Sequence, residues 1–350
     1  MIQAMARAML QSELFLSIGL ALFSSLFARP ARAQKAGALQ SDFKAAASDY
    51  NSGQLAKAAS ELESLARRAP ENPDVEELLG MVLSAESKDR EASIHLRRAV
   101  QLKPGWAAAR ANLAVNLTKL GKNSLAEAEF KRAIAIDPAD SQAYQDLGQF
   151  YLTEGKVSEA IPALEKAQTL HPSYRNGYNL ALAYSQTGRP QEAKREIQEL
   201  IETNNTAELH NLLGEVDEKL GDFIAAANEF QHAAQMDPTE SNLFDWGTEL
   251  LVHHALGPAI EVFSLSVKRY PGSARLVVGL GLAYYWRGDY DEAVKALLQA
   301  TSLAPSDPRA YYFLSKAYNR APSQAREVIS CFCRFADLRP HDGKAQFYYA

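Results

Sequence analysis

Two cysteines near the C-terminus are the first residues of this sequence to test for chemistry. Cys331 and Cys333 are the only cysteines, and two thiolates fall short of the four ligands that a structural zinc ion takes. Residues two positions apart on a helix point about 200° apart, which disfavours a disulfide between them. We expect two small buried side chains, and the alternative is an intermolecular disulfide from an outward-facing one.

The other chemical candidates are also incomplete. His253 and His254 diverge by about 100° on a helix, so we expect a surface pair near a loop rather than two ligands of one ion. Gly279-Leu280-Gly281 begins like a dinucleotide-binding fingerprint but lacks the third glycine and a preceding strand, which favours a packing role. The motifs H-E-x-x-H, G-x-S-x-G and G-K-[ST] do not occur in the sequence. The sequence therefore predicts no enzyme, no cofactor and no metal site.

The charge of the chain argues against nucleic acid as a ligand. The 350 residues are 47% hydrophobic and 23% charged, and the net charge is −5. No block of basic residues supplies the phosphate contacts on which nucleic-acid binding depends.

Residues 1–33 have the pattern of a secretory signal peptide. Arg7 precedes an apolar stretch from Leu14 to Phe27, and Ala31-Arg32-Ala33 offers small residues at the positions that signal peptidase reads. Cleavage near Ala33-Gln34 predicts a periplasmic or secreted protein without a transmembrane span in its mature form. The alternative is an uncleaved membrane anchor.

A pattern that returns every 33 or 34 residues predicts the elements of the fold. Prolines close the units at Pro70, Pro104, Pro138, Pro172, Pro238, Pro271, Pro305 and Pro340. A proline cannot continue a helical hydrogen-bond ladder, so each is expected to end a helix. Glycines at 121, 155, 188, 221 and 288 fall inside the units, where a left-handed residue ends the first helix of a pair.

Small residues at a second repeated position predict close packing of the two helices. That position, the small slot of the first helix, holds Gly80, Ala114, Gly148, Ala181, Gly214, Gly247 and Gly281. The second helices carry alanine at one position and a large apolar residue, such as Phe130, Phe230 or Phe263, four residues later. No unit of this kind buries its apolar face alone, so neighbouring units must stack.

These residues resemble the tetratricopeptide repeat, whose W-x2-L-G-x2-Y…A-x3-F…A…P pattern is met most fully at Tyr144–Pro172, Ala207–Pro238 and Ala274–Pro305. The resemblance covers about residues 39–350 and implies an all-α, right-handed α-solenoid, a superhelix of about nine helix-turn-helix repeats. The repeats are 39–72, 73–106, 107–140, 141–174, 175–206, 207–240, 241–273, 274–307 and 308–342. A short linker, 34–38, precedes them. Residues 343–350 are interpreted as a partial tenth repeat or a truncated capping helix. If the sequence is not truncated there, we expect another chain or the last unit to cover this apolar end.

The resemblance also implies where a partner would bind. In tetratricopeptide arrays, the residues three before, one after and four after the small slot face a concave groove. In the middle of the array these positions are polar: Gln142, Gln145, Gln149, Asn211, Glu215 and Glu218. In the last units they form the candidate peptide-binding groove: Phe244, Leu251, Arg275, Val278, Leu282, Tyr285, Arg309, Tyr312 and Lys316. The alternative is that Phe244 and Tyr285 pack between neighbouring units.

The predicted function is a non-catalytic scaffold or adapter that is exported and binds a protein or peptide partner on the concave face. Aromatic residues and arginines are common anchors of interfaces, and the cations would favour a partner carboxylate. Lysine and asparagine pairs of the chaperone-binding carboxylate clamp are absent from the corresponding positions. One alternative is a structural subunit that self-associates through its apolar C-terminal end. Another is an accessory subunit of an envelope complex for polysaccharide export or outer-membrane assembly.

Overall fold

The computed structural model describes residues 30–320 and 324–343, with side chains from residue 37 onwards. These residues form eighteen α-helices and no strand, which confirms the all-α class and is consistent with a helical solenoid. The helices fall into two compact units, which meet in sequence between Pro172 and Ser173. In both units consecutive helices pack against each other in pairs joined by short links. In the numbering used below, each odd-numbered helix is the first helix of a pair and each even-numbered helix is the second.

Unit 1 contains four helix pairs. Its helices are α1 Pro30–Asn51, α2 Leu55–Arg68, α3 Pro73–Ala85, α4 Asp89–Leu102, α5 Ala107–Lys119, α6 Asn123–Ile136, α7 Ser141–Thr153 and α8 Val157–Leu170. Residues 34–38, which the sequence analysis treats as a linker, are continuous with α1. The signal-peptide prediction rests mainly on residues 1–29, which lie outside the described residues, and it stays a prediction.

Unit 2 contains five helix pairs in its described part. Its helices are α9 Tyr174–Gln186, α10 Pro190–Thr203, α11 Ala207–Leu220, α12 Phe223–Met236, α13 Glu240–Val252, α14 Leu256–Arg269, α15 Ala274–Arg287, α16 Tyr290–Leu303, α17 Pro308–Tyr318 and α18 Ala325–Leu338. Residues 344–350, the interpreted partial tenth repeat, lie outside the described residues. Across residues 30–320 and 324–343, no helix has both the length and the apolar character needed to cross a bilayer.

The repeated prolines end the second helices as the sequence predicts. In unit 1, α2 ends at Arg68 and α8 ends at Leu170, in each case two residues before the closing proline. The next helix then begins on a side-chain cap. For example, the Asn72 Oδ1 atom accepts a hydrogen bond from the backbone N–H of Asp74 at 3.0 Å. Such a cap satisfies a donor that the first turn of a helix leaves free.

The links inside the pairs use left-handed residues. All five predicted glycines have positive φ, from 68° at Gly121 to 94° at Gly288, a conformation that costs glycine little. Among the described links, three contain a left-handed residue with a side chain instead: Ser87 with φ 63°, His254 with φ 59° and Gln324 with φ 53°. The link geometry is therefore kept even where the glycine is missing.

The small slot places the backbone of one helix against a large side chain of the next. A Cβ atom on Gly80 would lie 2.6 Å from Leu96, and one on Gly214 would lie 2.9 Å from the Phe230 ring. These separations are shorter than normal carbon–carbon contacts, so alanine at either position would force the facing side chain to move. The packing role predicted for Gly279 is confirmed, because its Cβ would lie 2.5 Å from Phe263.

The cores lie between helix pairs. In unit 1, Ala46, Leu62 and Leu79 from α1, α2 and α3 are fully buried in one cluster. At the end of unit 2, Tyr311 of α17 stacks on Phe335 of α18 with ring centroids 3.9 Å apart. Cys331 is buried as expected, 3.1 Å from the Thr301 hydroxyl, and Cys333 is partly buried. Each pair thus completes its core with residues from its neighbours.

Candidate binding surface on the first helices of unit 2

The two arginines of the predicted groove are already paired with acids. The Arg275 Nε atom donates to Glu240 Oε1 at 2.6 Å, and its guanidinium lies 5.0 Å from the centre of the Phe244 ring. Arg309 donates from Nε to both carboxylate oxygens of Asp307 at 3.0 Å. The hydrogen bond from Arg309 lowers the pKa of Asp307. Both cations therefore already have a carboxylate partner within the chain.

The apolar members of the predicted groove divide into core and surface residues. Leu251 is 4% exposed and packs in the core between α13 and α15. Val278 and Leu282 are half-buried against neighbouring core clusters. Both residues lie on α15. A first helix of a repeat packs against the second helix of its own pair and against the neighbouring pair, so partial burial is expected at these positions.

The aromatic residues of α15 and α17 form a connected surface. Tyr285 is half-buried between the rings of Tyr290 and Phe313, with centroids 5.6 and 6.4 Å away. Tyr312 is 43% exposed, and the Lys316 ammonium lies 5.4 Å from the centre of its ring. Of the nine predicted groove residues, Tyr312, Lys316 and Arg309 are exposed.

A recess of about 380 Å³ opens elsewhere in unit 2, on α9, α11 and the start of α13. Its walls include Tyr178, Leu182, Glu208, Asn211, Glu215, Asp237 and Asn242. Asn211 and Glu215 belong to the polar positions that the sequence analysis assigns to the middle of the array. The other residues of the recess are not identified by the sequence pattern alone. The signal that would have found them is the repeat itself, since residues 30 to 35 apart come together on adjacent first helices, as Tyr178 and Glu208 do.

The polar residues of the recess are held in place by hydrogen bonds. The Tyr178 hydroxyl donates to Glu208 Oε1 at 2.8 Å, and burial together with this bond raises the pKa of Tyr178. The Asn211 Nδ2 atom donates to Asn242 Oδ1 at 2.7 Å. Asn242 in turn donates to the Asp237 carbonyl at 2.6 Å. This chain of bonds fixes the floor of the recess against the start of α13.

The electrostatic character of the recess is acidic. Burial raises the pKa of Glu215, and the nearby carboxylates of Asp245 and Glu218 raise it further against the effect of Lys219. Burial also raises the pKa of Asp245. Raised carboxyl pKa values mean that the surroundings stabilise the negative charge less well than water does. A cationic group placed in this recess would meet several carboxylates.

A cluster of two histidines and a glutamate lies on α11 and α12. His210, Glu229 and His232 place ligand atoms within 4.8 Å of one another. Both ring nitrogens of His210 already have partners, however: Glu229 Oε2 at 2.5 Å and Asn205 Oδ1 at 2.8 Å. The arrangement is therefore a hydrogen-bonded pair that connects the two helices, with His232 exposed beside it.

Curated proteins of several kinds are similar to this chain. Human protein O-mannosyl-transferase TMTC1 is 27% identical over 207 residues, which are 56% of this chain and 23% of that protein. Mouse superkiller complex protein 3 is 32% identical over 154 residues, 41% of this chain and 10% of that protein. The type IV pilus assembly protein PilF of Pseudomonas aeruginosa is 25% identical over 200 residues, 56% of this chain and 79% of PilF. The chain thus spans about a quarter or less of the first two relatives.

Solved structures are also similar to parts of this chain. A crystal structure of MamA is 24% identical, with a TM-score of 0.44 over 49% of this chain and 94% of that chain. The structure of P. aeruginosa PilF is 21% identical, with a TM-score of 0.44 over 70% of this chain and 97% of that chain.

Models of one repeat family match several parts of the chain. A tetratricopeptide-repeat model matches residues 43–106 and 111–175, and another matches residues 151–216. A model described as TPR repeat matches residues 281–320. Together these matches cover more than half of the chain, and they agree with the helix pairs of both units. The chain belongs to the tetratricopeptide-repeat family.

Proposed function

We propose that this protein is a non-catalytic scaffold that is exported and binds one segment of a partner protein on the first helices of unit 2. Tetratricopeptide-repeat proteins generally mediate protein–protein interactions, and their fold is typically non-catalytic. The first helices of unit 2 supply both a polar recess and an aromatic surface. A polypeptide segment is the kind of ligand that can contact several repeats at once.

The acidic recess is the observation that carries this proposal. Glu208, Glu215 and Asp237 line an open recess of about 380 Å³, and partial burial raises the pKa of Glu215. A lysine or arginine of the partner would stabilise these carboxylates and gain charge-assisted hydrogen bonds. We therefore infer that the bound segment is basic where it meets α9 and α11.

This inference changes the chemistry expected of the partner. The sequence analysis takes Arg275, Arg309 and Lys316 as cations that would attract a partner carboxylate. In the structure Glu240 and Asp307 already satisfy the two arginines. We propose instead that the exposed ring of Tyr312 serves as an apolar anchor, in line with the role of tyrosine at other interfaces.

Binding of paired synthetic peptides tests the proposal. The two peptides share their aromatic residues and differ only in carrying lysine or glutamate at every charged position. We expect the lysine peptide to bind in a fluorescence anisotropy titration, and its affinity to fall as salt is raised. The Glu208→Lys/Glu215→Lys variant should weaken this binding at least tenfold, about 1.4 kcal/mol.

A charge reversal outside the recess is the matched control. Glu261 is exposed on the second helix α14, so Glu261→Lys should leave the affinity for the lysine peptide unchanged. Equal binding of the two peptides, or an equal loss in the Glu261→Lys variant, would refute the assignment of the recess.

Export is tested by the N-terminus of the protein purified from a bacterial host with two membranes. Signal peptide cleavage predicts a chain that begins at Gln34 and is released with the periplasmic contents. An intact chain that begins at Met1 and remains with the membranes would support the uncleaved anchor instead.

An accessory subunit of an envelope complex, serving polysaccharide export or outer-membrane assembly, is a second candidate. One observation favours it: the similarity to PilF extends over 79% of that protein, whose name places it in type IV pilus assembly. Self-association through the C-terminal end rests on residues outside the described part. Light scattering that shows a monomer at micromolar concentration would exclude it.

A further inference from the structure

We propose that unit 2 contains a transition-metal site, formed by Glu218, Glu249 and His253, that binds Zn²⁺. Glu218 lies in the last turn of α11, Glu249 lies in α13, and His253 follows α13 directly. One carboxylate oxygen of each glutamate and one ring nitrogen of the histidine lie within 4.8 Å of one another. The site does not depend on the proposed partner binding.

The buried carboxylate of Glu249 is the main reason for the proposal. Its side chain is 2% exposed, and its Oε1 atom has no hydrogen-bond partner. A buried carboxylate oxygen without a donor is unfavourable, and a buried charge is normally paired or bound to a metal. The Oε1 atom faces the Nε2 atom of His253 at 3.3 Å. A cation between the two would satisfy an atom that the chain leaves unsatisfied.

The second carboxyl group makes the need for a cation stronger. Glu218 approaches Glu249 from the neighbouring first helix, and one carboxylate oxygen of each residue lies within 4.8 Å of the other. Two carboxyl groups in contact repel each other when both are ionised. Zn²⁺ between them would replace that repulsion with two favourable contacts.

The imidazole of His253 is held in an orientation suited to a ligand. Its ring stacks on Phe223 with centroids 3.9 Å apart and an angle of 26° between the planes. The backbone N–H of His253 donates to the Glu249 carbonyl at 3.2 Å. This hydrogen bond fixes the backbone of His253 at the end of α13. Stacking and backbone pairing together keep Nε2 directed at the buried carboxylate.

The geometry and the donor atoms suit Zn²⁺. Bond lengths of about 2.0–2.2 Å in a tetrahedral site place ligand atoms about 3.3–3.6 Å apart, and 3.3 Å separates His253 Nε2 from Glu249 Oε1. Glu218 is exposed, so a change of rotamer can bring its oxygen to the same separation. A mixed nitrogen and oxygen set favours Zn²⁺ over Mg²⁺ and Ca²⁺, which prefer oxygen alone. Three protein ligands leave a fourth position for water.

Calorimetric titration of Zn²⁺ into the metal-free full-length protein tests the site. We expect one Zn²⁺ per chain whose affinity falls at least tenfold in Glu249→Gln and in His253→Ala. Glu218→Gln changes an exposed residue and provides the same test without a risk to folding. Circular dichroism melts establish that each variant is folded before titration.

Two variants serve as matched controls. His254→Asn changes the adjacent histidine at a position with positive φ, which asparagine tolerates. His232→Ala removes a ligand from the other histidine cluster. Both should bind Zn²⁺ as the unaltered protein does. No binding by the unaltered protein, unchanged binding in Glu218→Gln and His253→Ala, or loss of binding in His232→Ala would each overturn the proposal.

Co²⁺ provides a spectroscopic readout that a purely structural role would not change. A tetrahedral site with one histidine and two carboxylates should give intense visible d–d absorption, and Zn²⁺ should abolish it by displacement. This absorption should be present in His254→Asn and absent in His253→Ala. The same spectrum in both variants would contradict the assigned ligands.

Discussion

At the scale of single residues, glycine determines how closely the helices pack. Phe263 is fully buried, with Gly247 on its own pair's first helix and Gly279 on the next. Cβ atoms at these positions would lie 2.8 and 2.5 Å from its ring. The absence of two methyl groups thus creates the space that one phenylalanine fills between neighbouring repeats.

The first prediction concerns this contact. We expect Gly279→Ala to lower the free energy of unfolding by about 1–3 kcal/mol, because overpacking outweighs the roughly 1 kcal/mol that alanine gains in a helix. Gly257 in α14 has no atom within 4 Å of its missing Cβ. Gly257→Ala should therefore cause no overpacking, and we expect it to change the free energy of unfolding by less than Gly279→Ala does. Urea titration measures both, and stabilisation by Gly279→Ala would contradict the packing.

A buried acid in unit 1 makes stability depend on pH. Burial raises the pKa of Glu77 from 4.5 to about 7, although Asn112 donates a 2.8 Å hydrogen bond to its Oε1 atom. The native state therefore holds a proton at pH values where the unfolded chain has lost it. The contribution of Glu77 to the free energy of unfolding therefore falls as the pH rises from about 4.5 to about 7. Above that range the destabilisation by the buried carboxylate no longer increases.

Glu77→Gln tests this effect. We expect the variant to be more stable than the unaltered protein by about 1–3 kcal/mol at pH 8, with the gain mostly lost at pH 5. Glu71 is exposed, so Glu71→Gln should change stability little at either pH. Equal gains at pH 5 and pH 8 for Glu77→Gln would show that burial of the charge is not the cause.

The residue scale also shows what the sequence can predict. Gly148 and Leu164 are recognisable as a packed pair because both recur at one period, and the structure confirms the contact. The ion pair of Arg275 cannot be recognised in this way. Its partner Glu240 belongs to the preceding repeat and does not recur at the same position in the other repeats. The burial of Leu251 likewise depends on how far α13 rotates towards α15.

At the scale of helices, one left-handed residue in each link sets the direction of the second helix. Exposed Ser87 and exposed Gly121 occupy this position in consecutive pairs of unit 1, with φ of 63° and 68°. A residue with a Cβ atom is disfavoured there by about 1–2 kcal/mol. The link at Ser87 is therefore strained relative to the link at Gly121.

An exchange of the two residue types tests this explanation. We expect Ser87→Gly to raise the free energy of unfolding by about 1 kcal/mol and Gly121→Ser to lower it by a similar amount. Both side chains are exposed, so packing contributes little. Chemical denaturation measures both, and the same sign of change in the two variants would exclude the backbone explanation.

Helix ends are well predicted from the sequence, and contacts between successive first helices are not. A closing proline, such as Pro104, identifies the end of a helix because its effect is local. The pairing of Glu218 with Glu249 requires the relative register of α11 and α13, to which every residue between them contributes. The adjacency of His253 and His254 suggested divergent ring directions, but it gave no indication that Glu249 lies one turn before His253.

At the scale of the whole molecule, stability should come from contacts between neighbouring helix pairs. The α11–α12 pair buries Leu209 and Ala226 completely, and adjacent helices cover its apolar faces. A single pair has too little core to offset its conformational entropy. We expect a peptide of residues 207–240 to show little helix by circular dichroism, and a fragment of residues 173–343 to unfold cooperatively. Equal resistance of the two to urea would contradict this dependence.

The central claim is that the first helices of unit 2 bind a basic segment of a partner. Hydrogen exchange with mass spectrometry tests it most directly, because the method locates the contact on the full-length protein without mutation. With the lysine peptide, we predict slower exchange in α9, α11 and the start of α13, and no change with the glutamate peptide. Protection confined to unit 1 or to the second helices, or equal protection by both peptides, would contradict the account.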